Sequence, residues 1–237
     1  KMPDEPLIFV EVALVNGLAD SVQALLDKHA PVQDPKTADT AIFYSISNAQ
    51  KGLAGISFGN FLIKRVAAQL SQEFSGLKTF ATLSPIPGYM SWLRHAIAEG
   101  EIEQLKPADH KLLLEALADM GPEVELTSAL ETKKWPQEGG VINAIRTPLT
   151  RLAAHYLAEQ KGYNSDRARD PVAHFHLSNG AVIERLNWMG DRSENGLNQS
   201  AGLMVNYLYD LNQIDDNHEA YSGNGRITVS TEIKGLI

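Results

Sequence analysis

Cysteine does not occur anywhere in the 237 residues. Its absence excludes disulfides and every thiolate metal site, and it fits a reducing compartment. The chain also lacks a long basic run and any interleaving of aromatic with basic residues, and its net charge is −8. That balance argues against nucleic acid as a partner, because binding a phosphate backbone requires a positive stripe. No apolar run approaches the ~20 residues of a membrane span. The opening residues Lys1, Met2, Pro3, Asp4, Glu5 and Pro6 do not resemble a secretory leader. Repeats and low-complexity tracts are absent as well. What is present is 43% hydrophobic, enough for a sizeable core, over a length that suits one large domain or two small ones. A small polyanionic ligand remains compatible with an acidic protein, held by a few local cations and N–H dipoles. A start on Lys1 rather than Met predicts a piece of something longer.

The hydrophobic pattern reads as alternating strands and helices, an α/β arrangement. Residues 7–14 are almost continuously apolar, which predicts a strand covered on both faces. A short helix follows over about 20–28, then a buried strand over 41–47. Gly52, Gly55 and Gly59 punctuate the turn that follows, and Phe61, Leu62, Val66 and Leu70 fall at helical spacing beyond it. Residues 79–84 read as the next strand, broken abruptly by Ser84-Pro85-Ile86-Pro87-Gly88. A helix through Trp92 and Leu93 precedes a helical excursion over about 99–165, in which Thr147 and Pro148 read as the N-cap and N1 of its last helix. Residues 172–177 read as a strand, turned at Asn179-Gly180 as a tight hairpin into a second strand over 182–188. Residues 201–211 read as a helix or a strand–helix transition, and 227–231 as an edge strand.

Four features bear on chemistry. The stretch 41–65, strand then glycine turn then helix, presents bare backbone N–H groups and a helix N-terminus, the arrangement that holds phosphate or pyrophosphate. It is not a Walker loop, since no Gly-Lys-Ser/Thr follows and Lys64 lies too far along the helix. Ser84 ends a strand ahead of a rigid proline turn that fixes its hydroxyl. It also reads as a serine serving its own turn, and no Gly-x-Ser-x-Gly elbow surrounds it. His174 and His176, placed on one strand, would share a face. A metal site lacks a third ligand at a telling spacing, and one of the two would serve as an acid near neutral pH. Tyr207 and Tyr209 read as half-buried packing residues, with a phenol donor at a reaction centre as the sharper alternative.

These residues, taken with Pro6 to Leu14, Phe43 to Ser47, Phe61 to Arg65, Leu83 to Gly88, Asp170 to Val172, Phe175 to Leu177, Asn187 to Met189 and Gly202 to Met204, resemble the catalytic domain of the malonyl-CoA decarboxylase family in order and over most of the chain. The resemblance implies an acetyltransferase-like fold, a mixed, twisted β-sheet flanked by helices with the excursion at 99–165 as an insertion. It implies one catalytic acyl-CoA-binding domain over 1–237, without the family's N-terminal helical domain. Malonyl-CoA is then the substrate and acetyl-CoA and CO2 the products, with no cofactor because coenzyme A is part of the substrate. The coenzyme A pyrophosphate maps onto Ala54, Gly55, Ile56, Ser57, Phe58, Gly59 and Asn60, where Ser57 replaces an acidic residue of some members. The family's serine and histidine map to Ser84 and His176, and Tyr209 falls beside the thioester. No metal, nucleic acid or membrane is implied, the full-length protein is expected to be a homo-oligomer, and the expected compartment is cytoplasmic, with mitochondria also compatible. The residues themselves leave open an acyl-CoA-dependent N-acyltransferase, a non-catalytic acyl-CoA-binding or sensing module, and a serine hydrolase weakened by the missing elbow.

Overall fold

The computed structural model describes residues 8–48, 59–102, 106–118 and 139–237. Strand β1 (Ile8–Val15) is followed by a one-turn helix α1 (Val22–Leu25), whose N-cap Ser21 accepts from the Ala24 N–H. Strand β2 (Thr40–Asn48) leads across residues 49–58, outside the described residues, into helix α2 (Gly59–Glu73). Strand β3 (Thr79–Thr82) is separated by Leu83 alone from the two-residue strand β4 (Ser84–Pro85). Three helices follow: α3 (Tyr89–Ala98), α4 (Pro107–Ala118) and α5 (Gly139–Glu159). The chain continues through α6 (Pro171–Ser178), β5 (Val182–Asn187), α7 (Glu194–Ser200), β6 (Met204–Leu208), α8 (Ile214–Asn224) and α9 (Thr231–Lys234).

The sheet runs β1-β2-β3-β6-β4, with β5 also pairing β6. Only β2 and β3 are parallel, with Thr40 opposite Thr79, and α2 is the crossover that this pairing requires. Strand β6 is antiparallel to β3, β4 and β5. Period-2 alternation divides the core between the two faces. Ala41, Phe43, Phe80, Val205 and Tyr207 join the large cluster under the helices. Ile42, Ala81, Leu83 and Met204 form a second cluster that takes in Val22 and Leu25 of α1. The mixed α/β sheet with flanking helices is the architecture expected, and α4 and α5 lie within the expected helical excursion.

Several expected elements differ. Strand β1 lies at the sheet edge and leaves Phe9 54% exposed, so it is not covered on both faces; near-continuous apolarity here marks a strand paired on one side only. The predicted strand 172–177 is helix α6. Asp170 accepts from the Val172 and Ala173 N–H groups and Pro171 takes N1, a helix-start signal that outweighs the apolar–histidine alternation. Asn179-Gly180 therefore ends a helix instead of turning a hairpin. The Gly180 N–H bonds Leu177 O and the Ala181 N–H bonds His176 O, the paired closure of a Schellman motif. Helix α5 begins well before Thr147 and runs through Pro148. Residues 201–211 supply strand β6, and 227–231 contribute a single parallel bridge, Val229 to Ile183, in place of an edge strand.

Gly180 sits at φ +78°, and a Cβ there would come 2.1 Å from the carbonyl oxygen of Ile214. Backbone strain and overpacking act together at this position. Gly180→Ala is expected to cost about 2–4 kcal/mol, read as a lower urea midpoint at unchanged slope; an unchanged midpoint would contradict this account of the α6 terminus.

Candidate active site

The break between β3 and β4 presents Ser84. The Leu83 N–H bonds Phe43 O of β2, and Ser84 pairs with Val205 of β6 in the register that Ala81 already makes with Leu208, so β6 runs alongside both β3 and β4. Thr82 supports this junction. Its Oγ1 accepts from the Ser84 hydroxyl at 2.9 Å and from the Tyr207 N–H at 3.2 Å, and its carbonyl accepts from Asn206 Nδ2 at 2.7 Å. Asn206, buried, is fixed in turn by accepting from Asn187 Nδ2 at 2.8 Å and Arg185 Nε at 3.2 Å.

Helix α6 brings His176 to the other side of Ser84. Nε2 lies 3.1 Å from Ser84 Oγ, and Nδ1 lies 2.7 Å from the Tyr209 hydroxyl. Because the Ser84 hydroxyl donates to Thr82, the Nε2 proton points at the serine oxygen and Nδ1 accepts from Tyr209. The result is a directed chain of hydrogen bonds, Tyr209 to His176 to Ser84 to Thr82. Its members are almost sealed from solvent, with Ser84 6%, His176 4% and Tyr209 2% exposed. The Tyr207 ring stacks on the imidazole at 4.4 Å and 25°, and Phe175 meets its edge at 5.0 Å. Among the described residues the Tyr207 hydroxyl has no hydrogen-bond partner.

This enclosure sets the protonation state. Burial, with no carboxylate beside the ring among the described residues, depresses His176 to about 3, so the ring is neutral at working pH. Burial pushes the Tyr209 phenol well above its ordinary range, so it stays protonated. His174, expected on the same face as His176, turns away, because two residues of helix rotate about 200°. Its Nδ1 meets the Tyr221 hydroxyl of α8 at 2.8 Å, and that hydroxyl also accepts from the Ala168 N–H.

The structure thus brings Ser84, His176 and Tyr209 together. Of the expected pyrophosphate loop, Ala54, Gly55, Ile56, Ser57 and Phe58 lie outside the described residues; Gly59 and Asn60 open α2. The flanking strand and helix have the expected order, and Lys64 of α2 pairs with Asp215 of α8 at 2.8 Å. The residue reading missed two supports. Thr82 gave no local signal. Asp170 did, as an Asp-Pro helix start, and it is fully buried between two helix N-termini.

The depressed His176 implies a pH dependence of stability. The unfolded chain takes up a proton near the ordinary value of 6.5, while the folded ring refuses one until about 3. Stability is therefore complete above that window and falls by roughly 1.4 kcal/mol per pH unit within it. The raised Asp170 carboxyl acts with the opposite sign. The difference in slope between parent and His176→Asn isolates the imidazole: denaturant titrations between those values should fall less steeply for the variant, and equal slopes would contradict a buried neutral ring.

Comparisons with known proteins give the chain's relatives. The family model for the malonyl-CoA decarboxylase C-terminal domain matches residues 1–237. The mitochondrial malonyl-CoA decarboxylase of Anser anser anser is 38% identical over 245 residues, covering 100% of this chain and 48% of the relative. That of Rattus norvegicus is 38% identical over 244 residues, covering 99% of this chain and 49% of the relative. The crystal structure of malonyl-CoA decarboxylase from Rhodopseudomonas palustris superposes with a TM-score of 0.87 at 44% identity, covering 99% of this chain and 50% of that one. The chain spans about half the length of the relatives it matches. It belongs to the malonyl-CoA decarboxylase C-terminal domain family.

Proposed function

We propose that this chain carries the catalytic site for decarboxylation of malonyl-CoA to acetyl-CoA and CO2. The observation that carries the reading is the buried chain Tyr209–His176–Ser84, a proton-delivery line with no carboxylate partner on the histidine among the described residues. Decarboxylation needs such a line. When the bond to the carboxylate breaks, its electron pair passes to the α-carbon and is delocalised into the thioester carbonyl as an enolate. The thioester is thus its own electron sink, and the reaction needs no cofactor. A dry site destabilises the departing carboxylate relative to the spread-out enolate, and a positioned donor then protonates carbon.

Neutral His176 donates its Nε2 proton to the Ser84 oxygen as the Ser84 hydroxyl turns its own proton from Thr82 to the α-carbon, while Tyr209 resupplies Nδ1. The line is reset in reverse after product leaves: a proton from solvent enters at the Ser84 end and returns to Nε2, while Nδ1 gives its proton back to the phenolate. Transfer runs downhill, because a thioester α-carbon holds its proton far more tightly than a phenol does. The N–H groups of residues 54–60 hold the coenzyme A pyrophosphate at the far end of the substrate. Residues 1–237 act as one acyl-CoA-binding catalytic unit with the helical insertion at its side, and the full-length protein is a homo-oligomer.

The test is incubation with malonyl-CoA while acetyl-CoA and CO2 are followed, with Ser84→Ala and His176→Asn alongside. Either substitution is expected to lower kcat by about 10²–10⁴-fold, with KM changed little because the pyrophosphate contacts remain. Parental rates in both variants would overturn the site assignment. Tight coenzyme A binding without turnover by the full-length protein would favour an acyl-CoA-binding module, and amine-dependent thioester consumption an N-acyltransferase.

A further inference from the structure

Asp170 joins the two segments that carry the site residues. It lies six residues before His176, and its Oδ1 accepts from the Val172 and Ala173 N–H groups at 2.9 and 3.0 Å, closing the N-terminus of α6. Its Oδ2 accepts from the Gly88 N–H at 3.2 Å, across 82 residues of sequence. Gly88 is the N-cap of α3 and lies four residues after Ser84, at the end of the turn Pro85-Ile86-Pro87. Each oxygen of one carboxylate therefore serves a different helix N-terminus, one beside the serine and one beside the histidine.

The surroundings leave this contact little freedom. Asp170 has no exposed surface, and Tyr156 of α5 hydrogen-bonds it from a third element. A Cβ added at Gly88 would come 2.2 Å from the Tyr156 hydroxyl but only into ordinary contact, at 3.4 Å, with Asp170 Oδ2, so glycine here makes room for Tyr156, which packs beside the clamp. Gly88 has an ordinary negative φ of −90°, which makes close approach, not backbone strain, the reason for glycine here. Two prolines stiffen the path from Ser84 to Gly88, and one and a half turns of helix stiffen the path from Asp170 to His176. A displacement at Gly88 against Asp170 is thereby transmitted to the Ser84–His176 gap. Burial raises the Asp170 carboxyl, partly offset by the N–H groups of Ala173, Gly88 and Val172 and by Tyr156.

We infer that Asp170 is a positioning residue that sets the 3.1 Å Ser84–His176 contact by clamping the N-termini of α3 and α6 together through its two carboxylate oxygens. It touches neither serine nor histidine and acts only through them. The inference rests on the decarboxylase reading for its kinetic arm alone.

Two substitutions break the clamp from opposite sides. Asp170→Asn keeps one oxygen, as good an N-cap as the aspartate provides, but an amide N–H2 cannot accept from Gly88. Gly88→Ala leaves Asp170 untouched and sets its methyl against the Tyr156 hydroxyl, so that relieving the overlap moves the Gly88 backbone relative to Asp170. Each is expected to lower kcat by about tenfold to a hundredfold, the effect of sub-ångström to ångström misplacement of reacting groups, with KM changed less than twofold. The double variant should lose little more than either single one, because both remove the same contact. Nitrogen NMR of the His176 ring, assigned by difference with His176→Asn, should show both ring nitrogens shifted in each variant, while circular dichroism stays parental.

A purely structural role predicts otherwise: a lower melting temperature with unchanged kcat per folded molecule and unchanged ring nitrogens, which would overturn the inference, as would additive losses in the double variant. If the parent protein shows no decarboxylation, the functional reading fails, and the ring-nitrogen shifts alone decide whether Asp170 sets the geometry of His176.

Discussion

An imidazole withdrawn from water holds a second proton only at a large cost, and that penalty governs the centre of this protein. His176 is stacked by Tyr207, edged by Phe175 and bonded at both nitrogens, and among the described residues no carboxylate stands beside it to stabilise the charged form. It is depressed to about 3 as a result. The contrast with a serine-protease arrangement is physical: there a buried carboxylate stabilises an imidazolium and makes the histidine a base. Here a neutral phenol occupies that place, so the ring relays a proton without accumulating charge. Such a centre suits delivery of a proton to carbon and suits poorly the activation of serine as a nucleophile.

The rest of the fold holds this neutral ring where the serine can meet it. Strand β6 supplies Tyr207, leads directly into Tyr209 and, from its other face, gives Asn206, whose amide fixes the Thr82 carbonyl. Thr82 then orients the Ser84 hydroxyl. Helix α6 supplies the histidine, started by Asp170 and ended by the Schellman turn at Gly180. His174, one helical face away, ties α6 to α8 through Tyr221. Two histidines two residues apart thus do different work, one packing the helix and the other facing the strand break.

The parts legible in the sequence were those written in local chemistry. Pro85 and Pro87 marked the end of a strand at Ser84, and residues 41–47 read as a buried strand, which β2 supplies with Ala41 and Phe43 on one face and Ile42 on the other. The strand–turn–helix frame at 41–65 was readable from its glycines and the spacing of its apolar residues. The resemblance singled out His176, but periodicity placed it on a strand, because Ala173, Phe175 and Leu177 alternate with the histidines as a strand would. The Asp-Pro start signal contradicted that reading and was the better guide. Long-range partners were not legible at all. Nothing near Thr82 announces the Tyr207 N–H, and nothing near Asp170 announces Gly88, since the bonds between them span more than eighty residues.

The central claim is that His176 is neutral and oriented, with its proton on Nε2 toward Ser84 and Nδ1 accepting from Tyr209. Nitrogen NMR of the ring during a pH titration measures this directly. The account predicts two inequivalent nitrogens, Nε2 protonated and Nδ1 not, persisting without titration through the ordinary imidazole value of 6.5 and towards about 3. A ring that becomes doubly protonated near 6.5, or one that carries its single proton on Nδ1, would contradict it.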